Sequence, residues 1–215
     1  MRKKFNIYVL FSFLLIISNN LVYSQNNIKV PNLTKNGNVT QLHVNDKPFL
    51  ILAGELGNSS ASDINYLATR WKKIKEIGLN TLLIPVYWEL IEPEEGKFDY
   101  SLIDSIIFNA RKYNLKLIFL WFGSWKNSMS CYVPSWIKTD QNRFPRAKNK
   151  EGKSMEMLSV FSNENRAIDA KAFANLMNHI RKIDSNENTV IMVQVENEIG
   201  MIPDAREYSD EANKK

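Results

Sequence analysis

Thr189-Val190-Ile191-Met192-Val193-Gln194-Val195-Glu196-Asn197-Glu198-Ile199-Gly200 is the stretch that decides how this chain is read. Its first half is a nearly continuous apolar run rich in β-branched side chains, the pattern of a strand covered on both faces of a parallel sheet. It then turns abruptly acidic and ends on glycine. In α/β enzymes the carboxyl ends of parallel strands carry the chemistry. Two carboxylates two residues apart share a side of an extended strand, unless the following turn re-aims one of them. Like charges in a partly enclosed site raise one another's pKa, and a glutamic acid kept protonated near neutral pH can donate to a departing oxygen. An ordinary acidic loop closed by glycine has the same composition, so spacing alone leaves both readings open.

Working outward, the same strand-then-helix rhythm recurs. Val39 to Val44, a turn at Asn45-Asp46-Lys47-Pro48, and Phe49 to Ala53 read as a hairpin feeding a first core strand. Ile64, Leu67, Ala68, Trp71, Ile74 and Ile77 recur at helical spacing, with Ser62 or Asp63 as cap and Gly78 as stop. Leu79 to Tyr87 is a second buried strand and Leu102 to Ala110 a second helix. Leu117 to Phe122 is a third strand, followed by a long polar stretch to about Asn165. A helix carrying Ile168, Ala172, Phe173, Leu176, Met177 and Ile180 then leads back to the fourth strand.

Such alternation implies βαβ units, and both a doubly wound sheet and an eight-stranded barrel accommodate it. Ala53-Gly54-Glu55-Leu56-Gly57 lacks the glycine spacing of a dinucleotide loop. Glu55, Tyr87-Trp88-Glu89, Trp121 to Trp125 and Glu196-Asn197-Glu198 all fall at strand carboxyl ends, which favours the barrel.

The first two dozen residues stand apart. Arg2-Lys3-Lys4, an apolar run from Ile7 to Ile17, and small or polar residues up to Ser24 compose a secretory signal, so residues 1–24 are expected to be removed and the mature chain to start at Gln25, exported to the periplasm or beyond. The run is too short for a membrane span of about 20 residues, and no membrane association is expected after cleavage. The 215 residues are 44% hydrophobic and 24% charged, which excludes a disordered tail, and one cysteine, Cys131, excludes a disulfide framework. Cys131 reads as a small buried apolar side chain. The net charge of +5 owes three units to Arg2, Lys3 and Lys4, with no basic stripe elsewhere, so nucleic acid is not an expected partner. His43 and His179 are far apart and no metal-ligand spacing occurs; no metal or other cofactor is expected. Trp88, Trp125 and Trp136 are candidate stacking platforms for sugar rings, although for any one tryptophan core packing is the commoner role.

Together these stretches resemble a known clan. Trp88-x-x-x-Glu92-Pro93-x-x-Gly96-x-Phe98-Asp99 resembles the second-strand signature of barrel glycosidases that retain anomeric configuration. Val193 to Gly200 resembles the fourth-strand acid/base motif of the β-galactosidases of glycoside hydrolase families thirty-five and forty-two, and Pro134-Ser135-Trp136 is similar to a Pro-Ala-Trp stretch of family forty-two. The resemblance spans about Val30 to Asp210. It implies a TIM (β/α)8-barrel of which residues 25–215 hold the first four or so β/α units. It implies Glu198 as general acid/base, Asn197 as the residue that bonds the sugar's 2-hydroxyl, and Glu196, Glu55 and Trp88 around the sugar subsite, with Trp125 as a further platform. The implied substrate is an oligo- or polysaccharide ending in a β-linked sugar.

Two departures accompany it. Where family thirty-five carries a galactose-binding asparagine and glutamate after the third strand, Phe122-Gly123-Ser124-Trp125-Lys126-Asn127 has no acid. The clan's nucleophile sits at the end of a seventh strand, and a full barrel takes about 250 residues. These residues are thus expected to be the first half of a catalytic domain, with a C-terminal half as missing partner, and to be inactive alone. A non-catalytic sugar-binding remnant and a clan relative acting on another β-glycoside stay open beside the β-galactosidase.

Overall fold

The computed structural model describes residues 29–202 and 204–215. The expected signal segment, residues 1–24, lies outside the described residues.

An antiparallel meander comes first: β1 (Asn32–Asn36), β2 (Val39–Val44) and β3 (Lys47–Pro48). The turn between β2 and β3 has positive φ at both Asn45 (53°) and Asp46 (60°), the handedness that matches strand twist and that Asn and Asp tolerate best. The first core strand is shorter than the sequence suggests, β4 (Ala53–Glu55) rather than Phe49 to Ala53. Asn80 is the reason. Its side chain donates to Leu50 O at 2.8 Å and accepts from Leu52 N at 2.9 Å, satisfying the segment that would otherwise begin the ladder.

The first helical pattern is split into α1 (Ile64–Ala68) and α2 (Trp71–Glu76). Asp63 is the cap, accepting from Tyr66 N at 2.6 Å, and the break falls at Thr69, whose hydroxyl donates to Tyr66 O at 3.0 Å in place of continued helix. β5 (Thr81–Tyr87), the short α3 (Trp88–Ile91) and α4 (Ser101–Lys112) follow. β6 (Lys116–Lys126) runs four residues past the expected Phe122. The polar stretch after it is structured, with α5 (Ser135–Thr139) and the antiparallel pair β7 (Arg146–Lys148) and β8 (Ser154–Leu158). α6 (Asn163–Asp184), capped by Ser162, and β9 (Val190–Asn197) complete the core, and α7 (Asp210–Asn213) lies near the carboxyl end.

The core sheet is parallel with order β4-β5-β6-β9, each strand beside the one before it in sequence. A doubly wound sheet reverses order and carries helices on both faces. Here the helices stand in one row: Trp71 of α2 stacks on Tyr113 at the end of α4 (6.3 Å), and α4 joins α6 through Asp104–His179 (2.6 Å) and Arg111–Asp184 (2.7 Å). Beneath this row Leu82, Ile84, Val86, Leu117, Phe119 and Trp121 are all buried. Among the described residues the sheet does not close into a cylinder; β4 and β9 are its edges. Apolar side chains along the β9 edge are accordingly open to solvent, Met192 at 44% and Val195 at 61% exposure.

Cys131 is half-buried rather than enclosed, and burial raises its thiol pKa. No described helix is long and apolar enough to cross a membrane.

Candidate active site

Val193 and Val195 of β9 are paired with Phe119 and Trp121 and face α6, so strict alternation would send Glu196 to the opposite side with Gln194. The backbone prevents this. Glu196 has φ of 61° and Glu198 of 51°, both left-handed, so the strand end is re-aimed twice in three residues. The two glutamates therefore do not share a side.

Glu196 turns toward α6. Its carboxyl accepts from Trp125 N at 2.8 Å and Ser124 N at 3.3 Å and lies beside the Asp169 carboxyl, which takes the same Ser124 N–H. Burial first, and then the hydrogen bond and charge of Asp169, push its pKa up to about 9. Asp169 in turn accepts from the Trp121 indole (2.9 Å) and Ser124 N (2.8 Å). The raised acid anticipated for the triplet is thus its first member, and its partner comes from α6 rather than from Glu198.

Asn197 and Glu198 gather instead around Lys126 at the end of β6. The Lys126 ammonium donates to Asn197 Oδ1 at 2.6 Å and lies 3.6 Å from Glu198 Oε2. It also bonds Asn127 Oδ1 and sits 5.0 Å from the centre of the Phe122 ring. With only 8% of its side chain exposed, Lys126 is a buried cation, whereas the Glu198 side chain is 63% exposed and open to an incoming molecule. Because Asn197 Oδ1 is taken, its amide nitrogen is the group left to donate.

The remaining expected site residues are dispersed. Trp125 is buried and lines an apolar cavity of about 670 Å³ together with Phe161, Phe173, Val195 and Ile199, on the α6 side with Glu196. Its indole nitrogen has no partner among the described residues. Trp88 is fully enclosed between Trp121 and Trp136, and its indole donates to Glu92 Oε2 at 2.8 Å, so it presents no face to a sugar. Glu92 also accepts from Gly96 N at 2.8 Å, which makes the second-strand signature a loop closure built on Gly96 at φ 75°. Glu55 is exposed at the far edge, with two strands between it and β9. Lys126 and Asp169 were not singled out from sequence. Lys126 stood in the stretch noted for lacking an acid; Asp169, one turn before Phe173 on the buried face of α6, carried only the weak signal of a charge in an apolar stripe.

The profile of "Glycosyl hydrolases family 35" matches residues 41–215. The β-galactosidase of Xanthomonas manihotis is 26% identical over 178 residues, covering 79% of this chain and 27% of that protein. Human β-galactosidase-1-like protein 2 is 30% identical over 140 residues, covering 63% and 20%. A solved β-galactosidase from the Antarctic haloarchaeon Halorubrum lacusprofundi superimposes with a TM-score of 0.55 at 16% identity, over 74% of this chain and 22% of that one. The chain thus spans about a quarter of the length of these relatives. A profile match running from β2 through the Glu196-Asn197-Glu198 triplet to the last residue makes this chain a member of glycosyl hydrolase family 35.

Proposed function

We propose that this chain forms the proton-donating wall of an exported, retaining β-galactosidase acting on oligo- or polysaccharides with a terminal β-linked galactose. The observation that carries the reading is the Asn197–Glu198 pair at the end of the fourth parallel strand of a family 35 chain, anchored by Lys126 and open to solvent at Glu198.

In this reading Glu198 protonates the glycosidic oxygen as the bond breaks, a contribution of about 10²–10⁴ in rate. A second carboxylate, about 5–5.5 Å away, attacks the anomeric carbon, and Glu198 then takes a proton from the water that releases the sugar. The Asn197 amide donates to the 2-hydroxyl. Glu196 is not the second carboxylate, since its oxygens are committed to the Ser124 and Trp125 backbone and to Asp169. The nucleophile is proposed to come from polypeptide outside these residues, as are the further strands that would close a barrel beyond these four β/α units. Residues 1–24 are proposed to direct export, which a mature N-terminus at Gln25 would support.

The test pairs turnover of an aryl β-galactoside with galactoside titration followed by tryptophan fluorescence. Binding without turnover is expected from these 215 residues, weakened in Asn197→Ala. A flat response to galactosides, beside a response to glucosides, mannosides or uronides, sinks the galactoside assignment. Robust turnover lost in Glu198→Gln would show that the nucleophile lies within this chain.

A further inference from the structure

We propose that Glu196 and Asp169 hold one proton between them and act as a positioning pair that ties the end of β6 to the end of β9, and so sets where Lys126, Asn197 and Glu198 stand. The inference rests on the reading of Glu198 as proton donor.

The geometry is specific. Two carboxyl groups from different elements, β9 and α6, converge on one backbone N–H, that of Ser124, and Glu196 takes the Trp125 N–H as well. Two carboxylates crowded onto one N–H repel each other unless a proton sits between them, and a shared proton turns that repulsion into a hydrogen bond. Gly123 makes the approach possible: a Cβ there would fall 2.7 Å from Glu196 Oε1 and 2.9 Å from Asp169 Oδ1. The next residues on each strand are the site itself. Lys126 follows Trp125, Asn197 follows Glu196, and the Lys126–Asn197 bond closes the ring between the two strand ends.

The surroundings preserve the proton. The cavity wall beside the pair is mostly apolar, with Phe161, Phe173, Val195, Ile199 and Met201, none of which can hydrogen-bond an ionised carboxyl. The charged groups facing the same space are Arg166 on α6 and Arg206 and Glu207 in the carboxyl-terminal segment. Each is engaged elsewhere: Arg166 with Asn163, Arg206 with Asn213 and the Tyr208 ring, Glu207 with Ser159. Lys126 is directed to Asn197 and Glu198.

The pair predicts a stability profile of definite sign. Burial and Asp169 raise the Glu196 carboxyl from its ordinary 4.5 to about 9 in the fold. Its contribution is therefore complete below about pH 4.5 and is lost as pH rises through 9. Glu196→Gln, which supplies a permanent donor to Asp169 and an acceptor for Trp125 N, removes that decline. Three readouts on the purified chain decide the matter. Infrared difference spectra should show a protonated carboxyl at pH 7 that is absent in Glu196→Gln. The fall in unfolding midpoint from pH 5 to 9 should flatten in the same variant. Amide exchange at residues 124–126 and 195–198 should quicken at least tenfold in Glu196→Ala and Asp169→Ala but not in Glu196→Gln. Loss of the carboxyl band at pH 7, parallel pH profiles for wild type and Glu196→Gln, or unchanged exchange in Glu196→Ala would each overturn the pair. None of these needs a sugar, so failure to bind or cleave galactosides would count against the proposed function alone. In a protein that does turn over, Glu196→Ala should lower kcat about a hundredfold, the scale of a misplacement near 1 Å. KM should change little and Glu196→Gln should restore turnover; an unaltered kcat in Glu196→Ala overturns the positioning role.

Discussion

Lys126 donates to Asn197 Oδ1 across 2.6 Å, a charge-assisted bond between the ends of β6 and β9 with almost no solvent access on the lysine side. That single bond orients the Asn197 amide so that its nitrogen, not its oxygen, faces outward, and it places a cation beside Glu198.

Lys126→Met keeps the stem and removes the charge. Hydrogen bonds to charged groups contribute about 1.5–3 kcal/mol, and a loss of about 2 kcal/mol on that scale is expected, read as a lower urea midpoint with unchanged slope. Galactoside binding should weaken as well, because Asn197 is then free to flip. Full stability with full affinity in this variant would show that the bond orients nothing.

Glu92 and Trp88 belong to the architecture rather than to the sugar subsite. Glu92→Ala leaves the enclosed Trp88 indole and Gly96 N without their acceptor, at a cost of about 1–3 kcal/mol for each stranded donor. Trp88→Phe should likewise lower stability while leaving any galactoside affinity intact. A selective loss of affinity in Trp88→Phe, at constant melting temperature, would return Trp88 to the binding surface.

Asp184 closes the helix-to-strand joint below β9. It accepts from Arg111 (2.7 Å), Thr189 N (3.1 Å) and Val190 N (2.7 Å) while buried. Asp184→Ala takes the counter-charge from Arg111, which keeps Thr189 Oγ1 and Ile183 O, and strands two backbone donors, and a destabilisation of about 3–5 kcal/mol is expected, as for other broken buried pairs. Chemical denaturation measures it; a change under 1 kcal/mol on that scale would contradict the network.

Gly123→Ala tests the close approach at the end of β6. The added methyl would meet the Trp121 indole nitrogen at 2.3 Å as well as both carboxyls. Overpacking of this kind costs about 1–3 kcal/mol. Because the displaced groups are Glu196 and Asp169, amide exchange at Ser124 and Trp125 should rise with it. An alanine tolerated without either effect would mean that the pair does not need this proximity.

The periodic segments were legible without coordinates. Apolar runs at Leu79 to Tyr87, Leu117 to Phe122 and Thr189 to Val195 became β5, β6 and β9, and the stripe from Ile168 to Ile180 became the centre of α6, because burial on a strand or helix face writes itself into local spacing. Two motifs in order carried the resemblance to families thirty-five and forty-two, and the profile match assigned family 35. What spacing could not supply were features set by groups distant in the chain. Asn80 shortens the first core strand from 28 residues away, and the Thr69 hydroxyl breaks a helix whose apolar pattern continues unbroken.

At the site the division is sharper. The sequence alone determined that Asn197 and Glu198 come at the end of an apolar strand. Tertiary structure alone decided that Glu196 faces away from Glu198 toward Asp169, that Trp88 is enclosed, and that Lys126 holds Asn197. The physical reason is that alternation along a strand is a local rule, whereas left-handed φ at Glu196 and Glu198 is sustained only by partners on β6 and α6 that no linear spacing records.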